Sequence, residues 1–191
     1  LMVISREELI DAVVAAGKIA RNRSHTFDRR RIEFKSETDL VTDVDRTVQQ
    51  FLIDTLRERT GGARFIAEEQ DKIEGLTEAD TFIIDPVDGT TNFVHRLPHW
   101  CVSVGYWVGG QARIGVVYAP VTGELFSATR GEGAWLRHVE EGAAATDRPL
   151  AVSRTTTPRE ALGCSGLFGG GDEMRAESAR IIERALAGLR D

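Results

Sequence analysis

Two aspartates, Asp85 and Asp88, follow the strand that opens the stretch TFIIDPVDGTTNFVH at residues 81–95, and their spacing poses the chemical question. Thr81 to Ile84 read as a buried strand, and strand ends hold reactive groups well because a rigid sheet positions them. Pro86 has no N–H to give a ladder, so the sheet is expected to release the chain there. Asp85 and Asp88 would then emerge on a tight turn with the Val87 carbonyl pointing outward between them. Gly89 permits unusual backbone angles and close approach of a ligand. If Thr90, Thr91 and Asn92 open a helical turn, their N–H groups favour an anion. Two carboxylates this close repel unless a cation sits between them or one takes a proton. Oxygen ligands with no His or Cys nearby select Mg²⁺ or Mn²⁺ over zinc. The same Asp-Pro-x-Asp-Gly string also serves as a plain turn with Asp88 as a helix cap, and the segment alone does not choose.

Two more acid-bearing ends matter. Glu68 and Glu69 close the short strand of ARFIAEEQ (63–70), and taken alone they read first as solvated loop charges. Asp39, Thr42, Asp43 and Asp45 gather at a helix start, where caps and dipole-favoured acids belong anyway. The set carries the argument: three acidic termini that could converge, in a chain with no competing His or Cys constellation. Cys101 and Cys164 form no C-x-x-C pair and read as reduced, buried thiols of a cytoplasmic protein.

The elements that must position these groups follow from periodicity. Ser5 and Glu8 have capping-box spacing, and Leu9, Val13, Ala16 and Ala20 predict a helix over 6–23. Val44, Val48, Phe51, Leu52 and Leu56 predict a second over 44–59, ended by Gly61-Gly62. Ile32 and Phe34 fit a short strand, as do 63–70 and 81–85. From residue 100 the alternation of apolar and polar residues predicts an antiparallel meander of three or four strands. Residues 137–149 read as a surface loop and PLAVS as a further short strand. EALGCSGLF is strand-like, and Met174, Ser178, Ile181, Ala185 and Leu189 share one face of a last helix. A strand and helix normally lead to a neighbouring strand, so a C-terminal portion is expected past residue 191. The fold class expected is α+β, a layered sandwich with two N-terminal helices on a largely antiparallel sheet. Its domains would be 1–150, carrying the metal site, and 151–191, the start of an incomplete α/β part.

The 191 residues suit one ordinary domain, and 41% hydrophobic with 28% charged content is that of a soluble globular chain. Thirty acids against 24 bases give a net charge of −6, which argues against a nucleic-acid partner and suits a gatherer of cations. The Arg29-Arg30-Arg31 cluster reads as a solvated face. No run approaches a membrane span, and the most apolar N-terminal run, Val13 to Ala16, is cut short by Gly17 and Lys18, unlike a secretory leader.

DPVDGTTNFVH resembles the metal-binding signature of the inositol monophosphatase family, Mg²⁺-dependent, lithium-sensitive hydrolases of small phosphate esters. KSETDLVTDVD resembles that family's loop and helix start, FIAEEQ its paired glutamates, and GVVYAPVTGELFSATRGEGAW its central strands. The resemblance implies that Glu68, Asp85 and the Val87 carbonyl hold a first metal, and that Asp85 bridges to a second shared with Asp88. Glu69 and Asp45 would order water and a weaker third metal. Thr90 would orient and deprotonate the attacking water, the Gly89 and Thr90 amides would take the phosphate, and Lys35 matches a mobile-loop lysine. The implied reaction is hydrolysis of a small-molecule phosphate monoester by metal-activated water, without a phosphoenzyme. Two or three Mg²⁺ ions, with Mn²⁺ possible, would be the cofactors, and the partners a small phosphorylated substrate and a second copy in a homodimer. Three departures stand out: Ala67 where many members have Gly, a long 137–149 loop, and no Trp-Asp signature, which normally adds an aspartate to the second metal. A haloacid-dehalogenase-type phosphatase uses a similar D-x-D-G-T motif, but Asp85 and Asp88 have two residues between them rather than one. A non-catalytic metal- or phosphate-binding protein, or an inactive truncated relative, is the alternative outside catalysis.

Overall fold

Ser5 starts the first helix as its spacing predicts: its N–H and hydroxyl both donate to Glu8 Oε2, at 2.8 and 2.6 Å, and the Glu8 N–H returns to Ser5 Oγ. The computed structural model describes residues 4–26, 33–34, 40–68, 75–140, 142, 146–162 and 172–186. Helix α1 is Arg6–Thr26. Glu33–Phe34 (β1) and Leu40–Val41 (β2) form a small two-stranded ladder; Ile32 lies outside the described residues. Helix α2 is Asp43–Thr60, one residue longer at each end than its apolar stripe predicts, and Gly61 closes it with a positive φ of 70°.

The strands are β3 (Arg64–Ala67), β4 (Thr81–Asp88), β5 (Cys101–Val108), β6 (Gln111–Ala119), β7 (Glu124–Thr129), β8 (Gly133–His138) and β9 (Asp147–Leu150). They form one seven-stranded sheet in sequence order. Only the β3–β4 pairing is parallel; every other neighbour is antiparallel. The expected layering of two helices on a largely antiparallel sheet is therefore observed. The chain divides into two compact units, Leu1–Glu33 with Val41–Leu150 and Phe34–Leu40 with Ala151–Asp191.

In the first unit the core lies between the helices and one face of the sheet. Leu9, Val13, Ala16 and Ala20 of α1 and Val44, Val48, Leu52 and Leu56 of α2 are fully or almost fully buried. They belong to one apolar cluster with Phe82, Ile84, Val102, Val104, Tyr106, Ile114, Val116 and Tyr118 from the alternating positions of the strands. Each fully buried aliphatic side chain contributes roughly 1.5–3 kcal/mol relative to exposure. Helix α1 reaches β6 most closely at Gly17, where a Cβ would stand 2.4 Å from Tyr118 Cδ1. Stacked rings run across the sheet from Phe65 to Phe82 to Tyr106, with centroids 5.6 and 4.8 Å apart.

Two expectations need correction. The 137–149 segment is not all loop, because β8 continues through His138 and β9 starts at Asp147, before PLAVS. Arg137 holds that edge: its Nε donates to Asp147 Oδ1 at 2.6 Å and its Nη atoms reach Glu7 at 2.9 and 3.0 Å. In the second unit, EALGCSGLF begins in a 3₁₀ turn at Pro158–Glu160, Ala161 and Leu162 join no strand, and its remainder lies outside the described residues. Helix α4 (Asp172–Leu186) forms where expected, with Met174 and Ile181 exposed on it and Leu189 outside the described residues.

Candidate metal centre

Strand β4 does not stop at Pro86. It carries Asp85 opposite Ser103 and Asp88 opposite Cys101, so Pro86 and Val87 together face the single residue Val102. That is a bulge, one of the few places where a sheet tolerates proline. The expected release of the chain at Pro86 is thus a kink that re-aims the strand. Gly89 follows with φ 91°, and a Cβ there would meet the His99 carbonyl oxygen at 2.9 Å, so glycine is required on both counts. Helix α3 (Thr90–Val94) opens next, as the sequence suggests. It is pinned by Asn92 Nδ2, which donates to the His99 carbonyl at 2.6 Å, and by Phe93 edge-on against Trp100.

Strand β3 brings the glutamate. Ala67 pairs with Ile84, and the Glu68 N–H continues that ladder to the Ile84 carbonyl at 3.1 Å. Glu68 therefore arrives beside Asp85, across the only parallel seam of the sheet. Burial, then the charge of Glu68 and that of Asp88, push the Asp85 carboxyl up to about 8. Asp85 Oδ1 is buried with no hydrogen-bond partner among the described residues. Buried polar atoms in native structures are nearly always satisfied, so this one requires an explanation.

The start of α2 supplies the third group. Thr42 is the N-cap, and Asp45 completes a capping box with it. The Thr42 N–H donates to Asp45 Oδ2 at 2.9 Å, and the Thr42 hydroxyl donates to the same oxygen at very short range. Asp45 is fully buried; burial raises its pKa, while the bonds from Thr42 and Thr90 pull it down. Its other oxygen faces Thr90: Thr90 Oγ1 lies 3.2 Å from Asp45 Oδ1 and 3.0 Å from the Val87 carbonyl oxygen. One hydroxyl proton serves one acceptor at a time, so Thr90 is poised between the two.

Of the residues singled out in the sequence, Glu68, Asp88 and Asp45 each act on Asp85 through their charge, and Thr90 and Val87 join through hydrogen bonds. Asp43 instead points to Arg23 at 3.9 Å. Glu69, Asp39 and Lys35 lie outside the described residues. Among the described residues no three Asp, Glu, His or Cys side chains form a ready-made metal cage, so the acids make an open corner. Of two further neighbours, Thr42 was expected at the helix start and Cys101 was not expected beside the acids. Thr42 orients Asp45, and its spacing was the available signal, with Asp in place of the usual Glu. Cys101 Sγ lies 3.7 Å from Asp88 Oδ2, and burial with the two carboxylates raises this thiol to about 12.

The profile of the inositol monophosphatase family matches residues 5–191. The chain belongs to this family. The inositol monophosphatase of Mesembryanthemum crystallinum is 38% identical over 133 residues, covering 68% of this chain and 48% of that protein. Nus factor SuhB of Escherichia coli K12 is 37% identical over 153 residues, 80% of this chain and 57% of that protein. The crystal structure of the Bartonella henselae extragenic suppressor protein suhB superposes with a TM-score of 0.79 at 26% identity, covering 96% of this chain and 66% of that one. The chain spans about half the length of the curated relatives it matches.

The corner fits a hard divalent cation on its own chemistry. Its donors are carboxylate and carbonyl oxygens, the combination that suits Mg²⁺. The unsatisfied Asp85 Oδ1 is an acceptor awaiting a positive partner, and the mutual repulsion of Asp85, Glu68 and Asp88 would be relieved by one.

Proposed function

We propose that the protein hydrolyses a small-molecule phosphate monoester, as an inositol monophosphatase-like enzyme, at the corner formed by β3, β4, α2 and α3. The observation that carries this reading is Asp85, whose pKa burial and then the neighbouring carboxylates raise to about 8 and whose buried Oδ1 has no hydrogen-bond partner among the described residues. Glu68, Asp85 and the Val87 carbonyl would hold one Mg²⁺, and Asp85 and Asp88 a second. When bound, the cation supplies Lewis acidity toward a phosphoryl oxygen and lowers the pKa of water.

The remaining work falls to the chain itself. Asp45, anchored by Thr42, accepts the Thr90 proton at Oδ1, which frees Thr90 Oγ1 to accept one from the attacking water. Thr90 is thereby aimed by two acceptors rather than left to rotate. The Gly89 and Thr90 amides are the proposed phosphate contacts, on a turn whose backbone only glycine permits. Two-residue spacing between Asp85 and Asp88, and a Thr90 hydroxyl backed by Asp45 as proton acceptor, favour direct attack by water over a phospho-aspartate.

The test is phosphate release from a panel of sugar and polyol phosphates with and without Mg²⁺, comparing the parent with Asp85→Asn. Loss of Mg²⁺-dependent release in the variant is expected. Equal rates would reject the assignment, and trapping an acyl-phosphate on Asp85 would establish a nucleophilic aspartate instead.

A further inference from the structure

A cleft of about 630 Å³ opens in the first unit away from the carboxylate corner and shares no residue with it. One wall is the last part of α1, the others the end of β6, the turn after it, and the end of β8. Lys18, Arg21 and His25 repeat at helical spacing along one side of α1, and His138 and Tyr118 face them from the sheet. Among the described residues Glu140 is the only acid in the lining. None of these four basic side chains makes a hydrogen bond or ion pair among the described residues. In a chain of net charge −6, such a group of unpaired bases is unexpected.

Helix-dipole preference explains too little of it. That effect falls off within the last turn, which covers His25 but not Lys18 or Arg21, well before the helix end at Thr26. Tyr118 gives a second, independent indication. It is 2% exposed, it lines the cleft, and its hydroxyl has no hydrogen-bond partner among the described residues. Burial raises its pKa despite Arg21 nearby, so the phenol stays a proton donor. The hydroxyl is open to the cleft rather than sealed in the core, and it adds a donor to the bases there.

We infer that this cleft is a second ligand site, built for a small organic phosphate. The converging groups are nearly all donors and come from three elements, which suits the several oxygens of a phosphoryl group better than the two of a carboxylate. A bare phosphate ion would fill little of the volume, whereas drug- and nucleotide-sized ligands occupy clefts of roughly 300–1,000 Å³. Val121, 41% exposed in the lining, offers an apolar wall for the organic part. The inference stands whether or not the carboxylate corner hydrolyses an ester.

The experiment is calorimetric titration of the full chain in EDTA, without divalent cation, using uridine monophosphate and inorganic phosphate as probes. Saturable binding of the nucleotide, tighter than that of inorganic phosphate, is expected. Arg21→Ala and Lys18→Ala should each weaken it about tenfold, the worth of one charge-assisted hydrogen bond. Both side chains are exposed, so their replacement spares the core. Tyr118→Phe, which keeps the ring, should weaken binding by a few-fold, and Asp85→Asn should leave it unchanged. No saturable binding, or Arg21→Ala binding like the parent, overturns the inference. Loss in Asp85→Asn rather than Arg21→Ala would assign the binding to the corner and overturn it as well. Inorganic phosphate binding as tightly as the nucleotide would overturn the organic-ligand assignment.

Discussion

At Asp85 three unfavourable conditions meet: burial, two neighbouring carboxylates and an oxygen with no donor. An amide in its place carries no charge and can donate to Glu68. Asp85→Asn is therefore expected to raise the melting midpoint in EDTA while it abolishes Mg²⁺ binding. A lower midpoint would show that the carboxylate is structural. Thr90→Val keeps the shape and removes the hydroxyl set between Asp45 and Val87. Phosphate release should fall by about 10²–10⁴-fold, the usual worth of a positioned proton acceptor, with Mg²⁺ affinity retained and Thr90→Ser largely active. Parallel loss of Mg²⁺ binding in Thr90→Val would make Thr90 a scaffold for the metal ligands instead. The acids of this corner were legible because their spacing at strand ends is a local property. Cys101 beside Asp88 was not, since cross-strand register depends on how β4 bulges.

Elements were legible where one face is buried and period alone speaks, as in α1, α2 and the meander. They were misread where pairing overrides composition. β9 has the sequence DRPL, with no apolar alternation, and it is held by β8 together with Arg137 and Arg6, which both grip Asp147. That grip lowers the Asp147 pKa, chiefly through Arg137. A depressed carboxyl contributes stability above its unfolded pKa and loses it as pH falls through the folded one. Asp147→Asn should thus be less stable than the parent at pH 7, and the gap should close below about pH 4, the ordinary aspartate range. A gap independent of pH in urea melts would remove the ionic explanation. Gly17 makes the opposite kind of demand. Alanine would gain about 1 kcal/mol in helix propensity, but its Cβ would overlap the Tyr118 ring at 2.4 Å. Overpacking of this sort costs about 1–3 kcal/mol, and the neighbour is a packed ring rather than a flexible tip. A lower melting midpoint for Gly17→Ala is expected; a higher one would mean that α1 can lift off β6 at little cost.

On the scale of the whole molecule, the corner draws on segments far apart in the chain: Thr42 and Asp45, Glu68, and Asp85 to Thr90. No short peptide can bring these together, because each is held in place by α2, β3 or the bulged β4 packed on the common core. A cation bound there must therefore be linked to folding of the first unit as a body. A cation there would also offset the repulsion that Glu68 and Asp88 exert on Asp85. With free Mg²⁺ at 100 times its dissociation constant, linkage adds about 2.7 kcal/mol. For a unit of this size that corresponds to a rise in melting midpoint on the order of 10 °C. NaCl at matched ionic strength should give little of this, because general screening does not supply a ligand to Asp85 Oδ1. Hydrogen exchange should slow together at the start of α2, at the end of β3 and along the run from the end of β4 into α3, three stretches that only the folded unit brings near one another. Slowing confined to residues 85–90 would mean that the turn binds the cation alone and that Asp45 and Glu68 stand apart from it.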